Sequence, residues 1–221
     1  MSDQPQRPFI TRLSHELRTP LNAIISFSEL LRTGMVQYDS ADYHKFLKHI
    51  STNGKHLLNL VNDLLDQAAL ESGEIVFSAD PANLNRLVRE VTAIADGIQP
   101  QKKVRIEVEE NPALDAVVLD AVRFKQVLYN FLSNAVKFTA PNGRVRVRMH
   151  EEGATHFKLL VEDDGIGIPP EEQPRLFDQG SSLALVRQLV EIQGGYVGVR
   201  SVQGCGSTFH AVLPRRPLNA A

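Results

Sequence analysis

The stretch of sequence that decides the fold is FITRLSHELRTPLN, residues 9–22. Its apolar residues recur at helical spacing and predict a helix from about Pro8 to Arg32. The residues that share one narrow arc of this helix are Leu13, Leu17, Ile24 and Leu31. His15 lies on the opposite side of the helix from that arc, so its imidazole is expected to face solvent.

A second helical pattern follows, from about Ser40 to Glu71, after a polar turn around Gly34. The residues that form its inner seam are Phe46, Ile50, Leu57, Leu64 and Ala68. The residues that make a second side of the helix apolar are Leu47, Leu58, Val61 and Leu65. Because two helices cover each other on one side only, the pattern predicts a dimeric four-helix bundle built from two copies of this helical hairpin.

The rest of the chain changes to short β-rich stretches separated by helices. The predicted strands are 104–108, 145–149, 157–162, 196–200 and 207–212, and the predicted helices lie near 83–98, 120–137 and 183–193. This alternation predicts an α+β sandwich of two layers. The sequence therefore predicts a multidomain chain, with an all-α helical-hairpin domain at 1–73, a sandwich domain at 74–217, a tail at 218–221 and a hinge at 72–74.

The composition narrows the possible environments and partners. With 24 basic and 26 acidic residues the net charge is −2, so no long-range field would attract nucleic acid or an anionic membrane. The sequence contains no apolar run long enough to span a bilayer, and direct membrane insertion is not expected. Cys205 is the single cysteine and cannot form an internal disulfide, which fits a cytoplasmic protein.

The residues around His15 suit phosphoryl chemistry. Thr19 lies one turn further on the same face, and Glu16 and Arg18 flank that face. A neutral imidazole can attack a γ-phosphoryl group through one nitrogen while a neighbouring carboxylate stabilises the proton on the other. Pro20 lacks an N–H and is expected to kink the helix here. Taken alone, however, an exposed His beside a Glu is more often an ordinary solvated pair.

The helix predicted at 120–137 carries a second group of candidate residues. Asn130 and Asn134 lie one turn apart beside its apolar face, and Lys137 follows three residues later. A neutral amide oxygen can ligate Mg²⁺ next to a triphosphate, and a lysine can offset phosphate charge. Alone, an Asn in a helix is more often a simple surface residue.

The strand predicted at 157–162 runs into EDDGIGIPP, residues 162–170. Gly165 and Gly167 would let the backbone turn sharply and approach a planar ligand closely. The carboxylate of Asp163 can accept a hydrogen bond from an amino group of such a ligand. Alone, Asp-Gly after a strand is more often a plain turn.

Together these segments resemble the sensor histidine kinases of two-component systems. The matching motifs are the H-box of the HisKA type at 14–21, the N-box at 120–139, the G1 box at 161–169 and the F-box at 175–177. Residues 194–195 and 204–209 also fit, so the resemblance runs from Phe9 to Pro214 with the motifs in family order. It implies a dimerisation and phosphoacceptor domain followed by the Bergerat (GHKL) ATP-binding fold, which is shared with DNA gyrase.

The resemblance also implies roles for individual residues. His15 would be phosphorylated, Glu16 would act as the base, and Thr19 would help to aim a water when a response regulator is dephosphorylated. The implied nucleotide-binding residues are Asn130, Asn134, Lys137, Phe138, Asp163, Gly165, Gly167, Ile168 and Phe177, with Asn134 as the Mg²⁺ ligand. The implied cofactors are ATP and Mg²⁺, and the implied partners are a second copy of the chain, a response-regulator receiver domain and an upstream sensor domain outside this chain.

The sequence departs from the family after Phe177. The family has a long ATP lid there, closed by a glycine-rich G2 box whose backbone N–H groups bind phosphate. Here only DQGSS, residues 178–182, precedes the helix predicted at 183–193. Two explanations stay open: the lid has been deleted, or the protein has a longer, disordered lid that the 221-residue sequence lacks, and the second is favoured because long loops often lose order.

Three functions therefore compete. The first is an ATP-dependent histidine kinase that phosphorylates His15, passes the phosphate to an Asp of a response regulator and also acts as a regulator phosphatase. The second is a kinase-weak or nucleotide-dead scaffold for phosphotransfer or phosphatase activity, as a deleted lid would leave. The third, a gyrase-like ATPase, is disfavoured because Asn130 stands where gyrase-like enzymes carry a water-activating Glu.

Overall fold

The structure, a computed structural model, describes residues 6–71, 77–95, 98–178 and 181–216. The chain divides into two compact units, Met1–Ile75 and Val76–Ala221. The hinge predicted at 72–74 lies outside the described residues. None of the described helices combines the length and the apolar character that crossing a bilayer requires.

The first unit contains the two predicted helices, α1 (Gln6–Arg32) and α2 (Ala41–Glu71). The turn between them starts at Gly34, whose φ of 70° is the left-handed conformation that ends many helices. The Ser40 hydroxyl then accepts a hydrogen bond from the Tyr43 N–H at 3.1 Å and so caps the start of α2. Both boundaries of the hairpin thus follow from local sequence signals.

The two helices pack through one apolar side of each. The half-buried residues of this seam include Leu17, Ile24, Leu31, Phe46, Ile50 and Leu57, as the sequence predicts. The ring of Phe27 lies 5.0 Å from that of Phe46 and stacks at 4.9 Å on that of His49. The side chains of Leu13, Leu64, Leu65 and Ala68 lie outside the described part of the structure.

A second apolar side of the hairpin is exposed to solvent in one copy of the chain. Its large side chains are Leu21, Ile25, Leu47, Leu58 and Val61. The last three recur on α2 at spacings that place them on one side of the helix. The sequence predicts a dimer from Leu47, Leu58 and Val61 together with Leu65, the structure adds Leu21 and Ile25 of α1 to this exposed stripe, and the dimer stays a prediction here.

The second unit is an α+β sandwich. Its helices are α3 (Leu84–Ala95), α4 (Ala121–Phe138) and α5 (Ser182–Glu191), and its strands are β1 (Asp80–Ala82), β2 (Arg105–Glu109), β3 (Val117–Leu119), β4 (Arg144–Glu152), β5 (His156–Asp163), β6 (Tyr196–Val202) and β7 (Gly206–Pro214). The main sheet has the order β2-β4-β5-β7-β6. Its β2 and β4 are parallel, and its other neighbours are antiparallel.

The core lies between this sheet and the helices. Along β5 the residues alternate between buried and half-buried, so one face of the sheet packs inward. Phe124 of α4 contacts Phe157 of β5 with ring centroids 6.1 Å apart, and Phe131 contacts Phe209 of β7 at 5.7 Å. These contacts between α4 and the sheet confirm the predicted two-layer sandwich.

The sequence did not predict β1 and β3. They pair with each other as a separate two-stranded sheet, with Pro81 opposite Val118. Each has three residues, which is too short for a period-two pattern to be distinguished from a turn.

Candidate functional site

The first group of candidate residues lies on α1. Its backbone is helical at His15 and Glu16, and the side chains of these two residues lie outside the described part of the structure. One turn further on, Arg18 and Thr19 are exposed, whereas Pro20 is buried. This segment of α1 therefore presents a polar face to solvent at Thr19, and the roles of His15, Glu16 and Thr19 stay predictions.

The second group is carried by α4, whose first turn is fixed by Asp120. One carboxylate oxygen of Asp120 accepts from the N–H groups of Val122 and Arg123 at 3.0 and 3.1 Å, and the other accepts from the Ser78 N–H at 3.2 Å. An N-cap of this kind satisfies N–H groups that have no partner within the helix. The opposite face of α4 is buried against the sheet, so the helix cannot turn about its own axis. Asn130 and Asn134 are therefore held on the face of α4 that points away from the core.

The two asparagines of α4 differ in what they can offer a ligand. Both are half-buried. The Asn130 side-chain nitrogen donates to the Gln126 carbonyl at 3.1 Å, so this amide is tied to its own helix. Among the described residues, the Asn134 amide takes part in no hydrogen bond. The amide oxygens of both residues take part in no hydrogen bond among the described residues, and the two differ in that the Asn130 amide is held by its nitrogen.

The end of α4 is held by a lysine that the sequence analysis did not identify. The ammonium of Lys102 donates to the carbonyls of Lys137 at 2.5 Å, Thr139 at 3.0 Å and Val136 at 3.3 Å. A cation at this position satisfies carbonyls that lack helical partners and complements the negative end of the helix dipole. Lys137 is exposed, and its ammonium lies 5.2 Å from the centroid of the Phe138 ring.

The third group lies where β5 ends. A carboxylate oxygen of Asp163 accepts from the Gly165 N–H at 2.9 Å. Burial raises the pKa of Asp163, the backbone N–H groups of Gly165 and Ser207 oppose that rise, and the nearby charge of Asp164 adds to it. A carboxylate in such surroundings favours a partner that donates a hydrogen bond to it.

Two glycines bring this loop close to neighbouring protein backbone, and the close approach to a planar ligand stays a prediction. A Cβ at Gly165 would lie 2.6 Å from the Phe138 carbonyl oxygen, which itself accepts from the Ile166 N–H at 3.3 Å. A Cβ at Gly167, where φ is 65°, would lie 2.1 Å from the Val202 carbonyl oxygen. The loop thus joins the end of α4 on one side and the β6–β7 hairpin on the other.

The structure adds Ser207 to the residues around Asp163. Ser207 is buried and stands directly opposite Asp163 in the register of β5 and β7. The sequence signal that could have identified it is GCGST, residues 204–208, in which Gly206 has a φ of 103° and no room for a Cβ beside the Asp163 carbonyl. The Ser207 hydroxyl lies 3.0 Å from that of Ser201.

Two concavities lie in this part of the sandwich. The smaller, of about 270 Å³, is lined by Asp163, Arg200, Ser201, Val202, Cys205, Gly206, Ser207 and Thr208. The larger, of about 480 Å³, is lined by Glu171, Glu172, Arg175, Leu176 and Ser181. We place the candidate site at the smaller one because, of the two, it alone is lined by the half-buried Asp163 with its backbone donors; Asn130, Asn134 and Lys137 line neither.

The start of α5 differs from a phosphate-binding helix start. Phe177 is half-buried, residues 179–180 lie outside the described residues, and α5 begins at Ser182. The Ser181 hydroxyl accepts from the Ala184 N–H at 3.0 Å and lies 2.7 Å from the Leu176 carbonyl, to which it donates. The Ser181 hydroxyl therefore engages one N–H donor, that of Ala184, which a glycine-rich loop would leave open to phosphate.

Two families match the chain. Residues 6–73 match the His Kinase A (phospho-acceptor) domain, and residues 119–217 match the histidine kinase-, DNA gyrase B- and HSP90-like ATPases. The first match covers the helical hairpin, and the second covers α4, the Asp163 loop and β4 to β7.

Individual relatives agree with these matches. The circadian input-output histidine kinase CikA of Synechococcus elongatus is 35% identical over 95% of this chain and 30% of its own length. The autoinducer 2 sensor kinase/phosphatase LuxQ of Vibrio parahaemolyticus is 34% identical over 96% of this chain and 27% of its own length. The chain thus spans under a third of these curated relatives.

A solved structure supports the same assignment across both units. Full-length ShkA in complex with AMPPNP is 31% identical, with a TM-score of 0.67 over 94% of this chain and 45% of ShkA. The phospho-acceptor match on the hairpin and the ATPase match on the sandwich occur in the order that the sequence motifs predict. The chain belongs to the sensor histidine kinases and comprises the phospho-acceptor and ATPase core of that family.

Proposed function

We propose that this chain binds ATP in the sandwich, transfers its γ-phosphoryl group to His15 and passes that group to an aspartate of a response-regulator receiver domain. The observation that carries the proposal is that a single chain joins the phospho-acceptor segment of α1 to a sandwich whose Asp163 loop and α4 meet at Phe138 and Ile166. The AMPPNP complex of ShkA supports a nucleotide at this fold.

The sandwich offers suitable groups for each part of the nucleotide. Asp163 would accept from the exocyclic amine of adenine, and Gly165, Gly167 and Ile168 would form the wall beside the ring. Lys137, which is exposed at the end of α4, would contact phosphate, and Phe138 and Phe177 would contribute apolar surface.

Mg²⁺ would be held by Asn134, with Asn130 in support. The half-buried Asn134 amide fits this role because it has no hydrogen-bond partner among the described residues, and an amide oxygen is a suitable ligand for a hard cation. The bound ion would neutralise part of the triphosphate charge. The Asn130 amide, being tied to Gln126, would keep the polar face of α4 in place.

At His15 one ring nitrogen would form a bond to the γ-phosphorus as the bond from that phosphorus to the bridging oxygen breaks and ADP leaves. Glu16 would stabilise the proton on the other ring nitrogen. The phosphoryl group would then move from His15 to a carboxylate oxygen of the regulator. Thr19, which is exposed one turn from His15, would aim a water at the phosphorylated regulator in the reverse function.

The hairpin would act as a dimer, with the response regulator docked on the resulting four-helix bundle. The exposed stripe of Leu21, Ile25, Leu47, Leu58 and Val61 supports this, because solvent exposure of so many large apolar side chains is unfavourable without a partner. A second copy would cover the stripe with the same stripe. The core would operate in the cytoplasm under the control of a sensor domain outside these 221 residues.

A second candidate function is favoured by the start of α5. Because the Ser181 hydroxyl caps this helix, fewer donors are open to the γ-phosphate, which would weaken the kinase reaction relative to the phosphatase and phosphotransfer reactions. The name of the relative LuxQ, a sensor kinase/phosphatase, is consistent with a kinase reaction and a phosphatase reaction in one protein.

Labelled ATP and Mg²⁺ test both candidates on the full chain. We expect alkali-stable, acid-labile label on the wild type and on His44→Ala, a control at an exposed histidine elsewhere on the hairpin, and none on His15→Ala or Asp163→Asn. A kinase-dead wild type that still dephosphorylates a phospho-regulator, and loses this activity in Thr19→Ala, would establish the second candidate. ATP hydrolysis that persists in His15→Ala would contradict both.

A further inference from the structure

The loop of Gly165 to Ile168 is held at Ile168 by two side chains from different elements. The Ile168 N–H donates to the Ser201 hydroxyl of β6 at 2.8 Å. The Ile168 carbonyl accepts from the Gln173 side-chain nitrogen at 2.9 Å, and the same nitrogen donates to the Ser201 carbonyl at 3.0 Å. Both backbone polar groups of Ile168 are therefore bound by side chains.

The hydroxyl of Ser201 uses its full hydrogen-bonding capacity. It donates its single proton to the Gly206 carbonyl at 2.9 Å and accepts from the Ile168 N–H. The Ser207 hydroxyl lies 3.0 Å away, and it must be the donor because the proton of Ser201 is already used. Ser201 thus joins the loop to Ser207, which stands opposite Asp163.

The same loop is anchored to the β6–β7 hairpin at two further points. The Gly204 N–H donates to the Ile166 carbonyl at 2.7 Å. Gly167 approaches the Val202 carbonyl so closely that no side chain fits. Because the Gly165 N–H holds the Asp163 carboxylate, a loop fixed at Ile166 and Ile168 also fixes the direction in which that carboxylate points.

The hydrogen bonds of Ser201 and Gln173 order this loop before any ligand is bound. A binding loop that is already ordered loses less conformational entropy when its ligand binds.

We propose that Ser201 and Gln173 are positioning residues that hold the Asp163 loop in its adenine-reading form and thereby set base specificity. The inference rests on the proposed nucleotide site. Neither residue is assigned a contact with the reacting phosphate. Ser201 acts through the Ile168 N–H and Ser207, and Gln173 acts through the Ile168 carbonyl.

The test is the affinity of the full chain for ADP and for IDP, which lacks the exocyclic amine. Ser201→Ala and Gln173→Leu should each weaken ADP binding by about two- to tenfold, as expected for the loss of one hydrogen bond. The preference for ADP over IDP should fall by a similar factor, because IDP gains nothing from a correctly aimed Asp163. Ser201→Thr, which retains the hydroxyl, should restore both values.

Gln203→Leu is the matched control, since Gln203 is an exposed glutamine on the same hairpin, and its ADP affinity should stay near that of the wild type. Amide exchange at Ile168 should accelerate in Ser201→Ala and not in Gln203→Leu. Equal losses of ADP and IDP affinity, or an unchanged preference, would show a merely structural role and overturn the inference. A wild type that binds no ADP would overturn the nucleotide site and this inference together, whereas an ADP-binding wild type with unaffected variants overturns the inference alone.

Discussion

The two units of the chain differ in how completely they bury their apolar side chains. In the hairpin, Pro20 is the only buried residue among those whose side chains are described, and Leu58 is 59% exposed. In the sandwich, Phe124, Phe131 and Phe157 are at most 1% exposed. The sandwich completes its own core, whereas the hairpin offers an apolar surface that only another surface can complete.

This difference matches the division of chemistry that we propose. The proposed nucleotide site lies in the unit that completes its own apolar core, so we expect nucleotide binding to need no assembly. His15 lies on the hairpin, and if a second copy covers the exposed stripe, the phospho-accepting face would reach its working geometry only in the dimer. Control of the dimer by an outside domain would then act on His15 and leave nucleotide binding unchanged.

The largest expected effect is on the sandwich core. Phe131 is 0% exposed and contacts Phe209, so Phe131→Ala should reduce the free energy of unfolding of the sandwich by about 3–5 kcal/mol. Urea unfolding monitored by circular dichroism measures this value. Since the core of the sandwich lies within one chain, the midpoint should not depend on protein concentration.

Phe138→Ala is the control for this comparison, because Phe138 lies on the same helix with 46% of its surface exposed. Its cost should be below about 1 kcal/mol, although nucleotide affinity should fall. A core variant that unfolds at a concentration-dependent midpoint would show that the sandwich also relies on a second copy, and the contrast between the units would be wrong.

The next effect concerns the exposed stripe of the hairpin. Each copy of Leu58→Asp would contribute one charge to the proposed dimer interface, so the interface would contain two. The dissociation constant of the dimer should therefore rise by at least about a hundredfold. Analytical ultracentrifugation measures it. Met35→Asp, at a side chain that is 77% exposed in the turn between the helices, should leave the dimer intact. A monomeric wild type, or equal effects of the two variants, would refute the interface.

The helices of this fold could be predicted because the caps and the apolar periodicity that define each helix lie within one segment of the sequence. The helix expected from Pro8 to Arg32 spans Gln6–Arg32, and the one expected at 120–137 spans Ala121–Phe138. Caps and amphipathic periodicity are local, so one segment contains the whole signal. β1 and β3 could not be predicted because each depends on its partner and has only three residues.

The residues of the candidate site likewise divide into those with a local sequence signal and those that depend on distant contacts. The DGIG segment after β5 identifies Asp163, Gly165 and Gly167 because the glycines lie beside the carboxylate in sequence. Lys102 and Gln173 could not be identified, because Lys102 binds carbonyls at the end of α4, 34 to 37 residues away, and Gln173 binds β6, 28 residues away, as well as the nearby Ile168. Contacts of that kind exist only after the sheet has formed.

A smaller effect should appear in the pH dependence of the nucleotide site. Burial raises the pKa of Asp163, so this carboxyl takes up a proton at a higher pH than an ordinary aspartate. The ionised form is the acceptor for the amine of adenine, and ADP affinity should therefore fall as the pH is lowered through that raised pKa. Loss of a hydrogen bond to a charged group corresponds to about ten- to a hundredfold in affinity.

Carbon-13 chemical shifts of the Asp163 carboxyl, recorded over a series of pH values, give the midpoint of its titration directly. Calorimetry at the same pH values gives the ADP affinity and the pH at which that affinity is half lost. The two midpoints should agree, and Asp163→Asn should bind ADP weakly at every pH. An Asp163 midpoint at or below the usual range of aspartates would contradict the burial seen in the structure. Agreement would support the view that the sandwich holds its site without help from the hairpin.

The smallest expected effects compare one side-chain pair from each unit, and the hairpin pair is an ion pair only while its histidine is protonated. In the hairpin, His44 and Asp39 lie 2.6 Å apart with side chains that are 63% and 72% exposed, so His44→Ala should cost less than about 0.5 kcal/mol. In the sandwich, Arg148 pairs with Glu162 on the sheet, and the Nε of Arg148 is buried without another partner.

Glu162→Gln should therefore cost more, about 1–2 kcal/mol, because it leaves a partly buried guanidinium with a weaker acceptor. Thermal unfolding at low and high salt separates the two cases: the His44→Ala effect should vanish at high salt, and the Glu162→Gln effect should persist, since buried pairs are screened less. If Glu162→Gln costs no more than His44→Ala, the sheet face of the sandwich is as solvated as the hairpin, and the contrast between the two units applies to their apolar side chains alone.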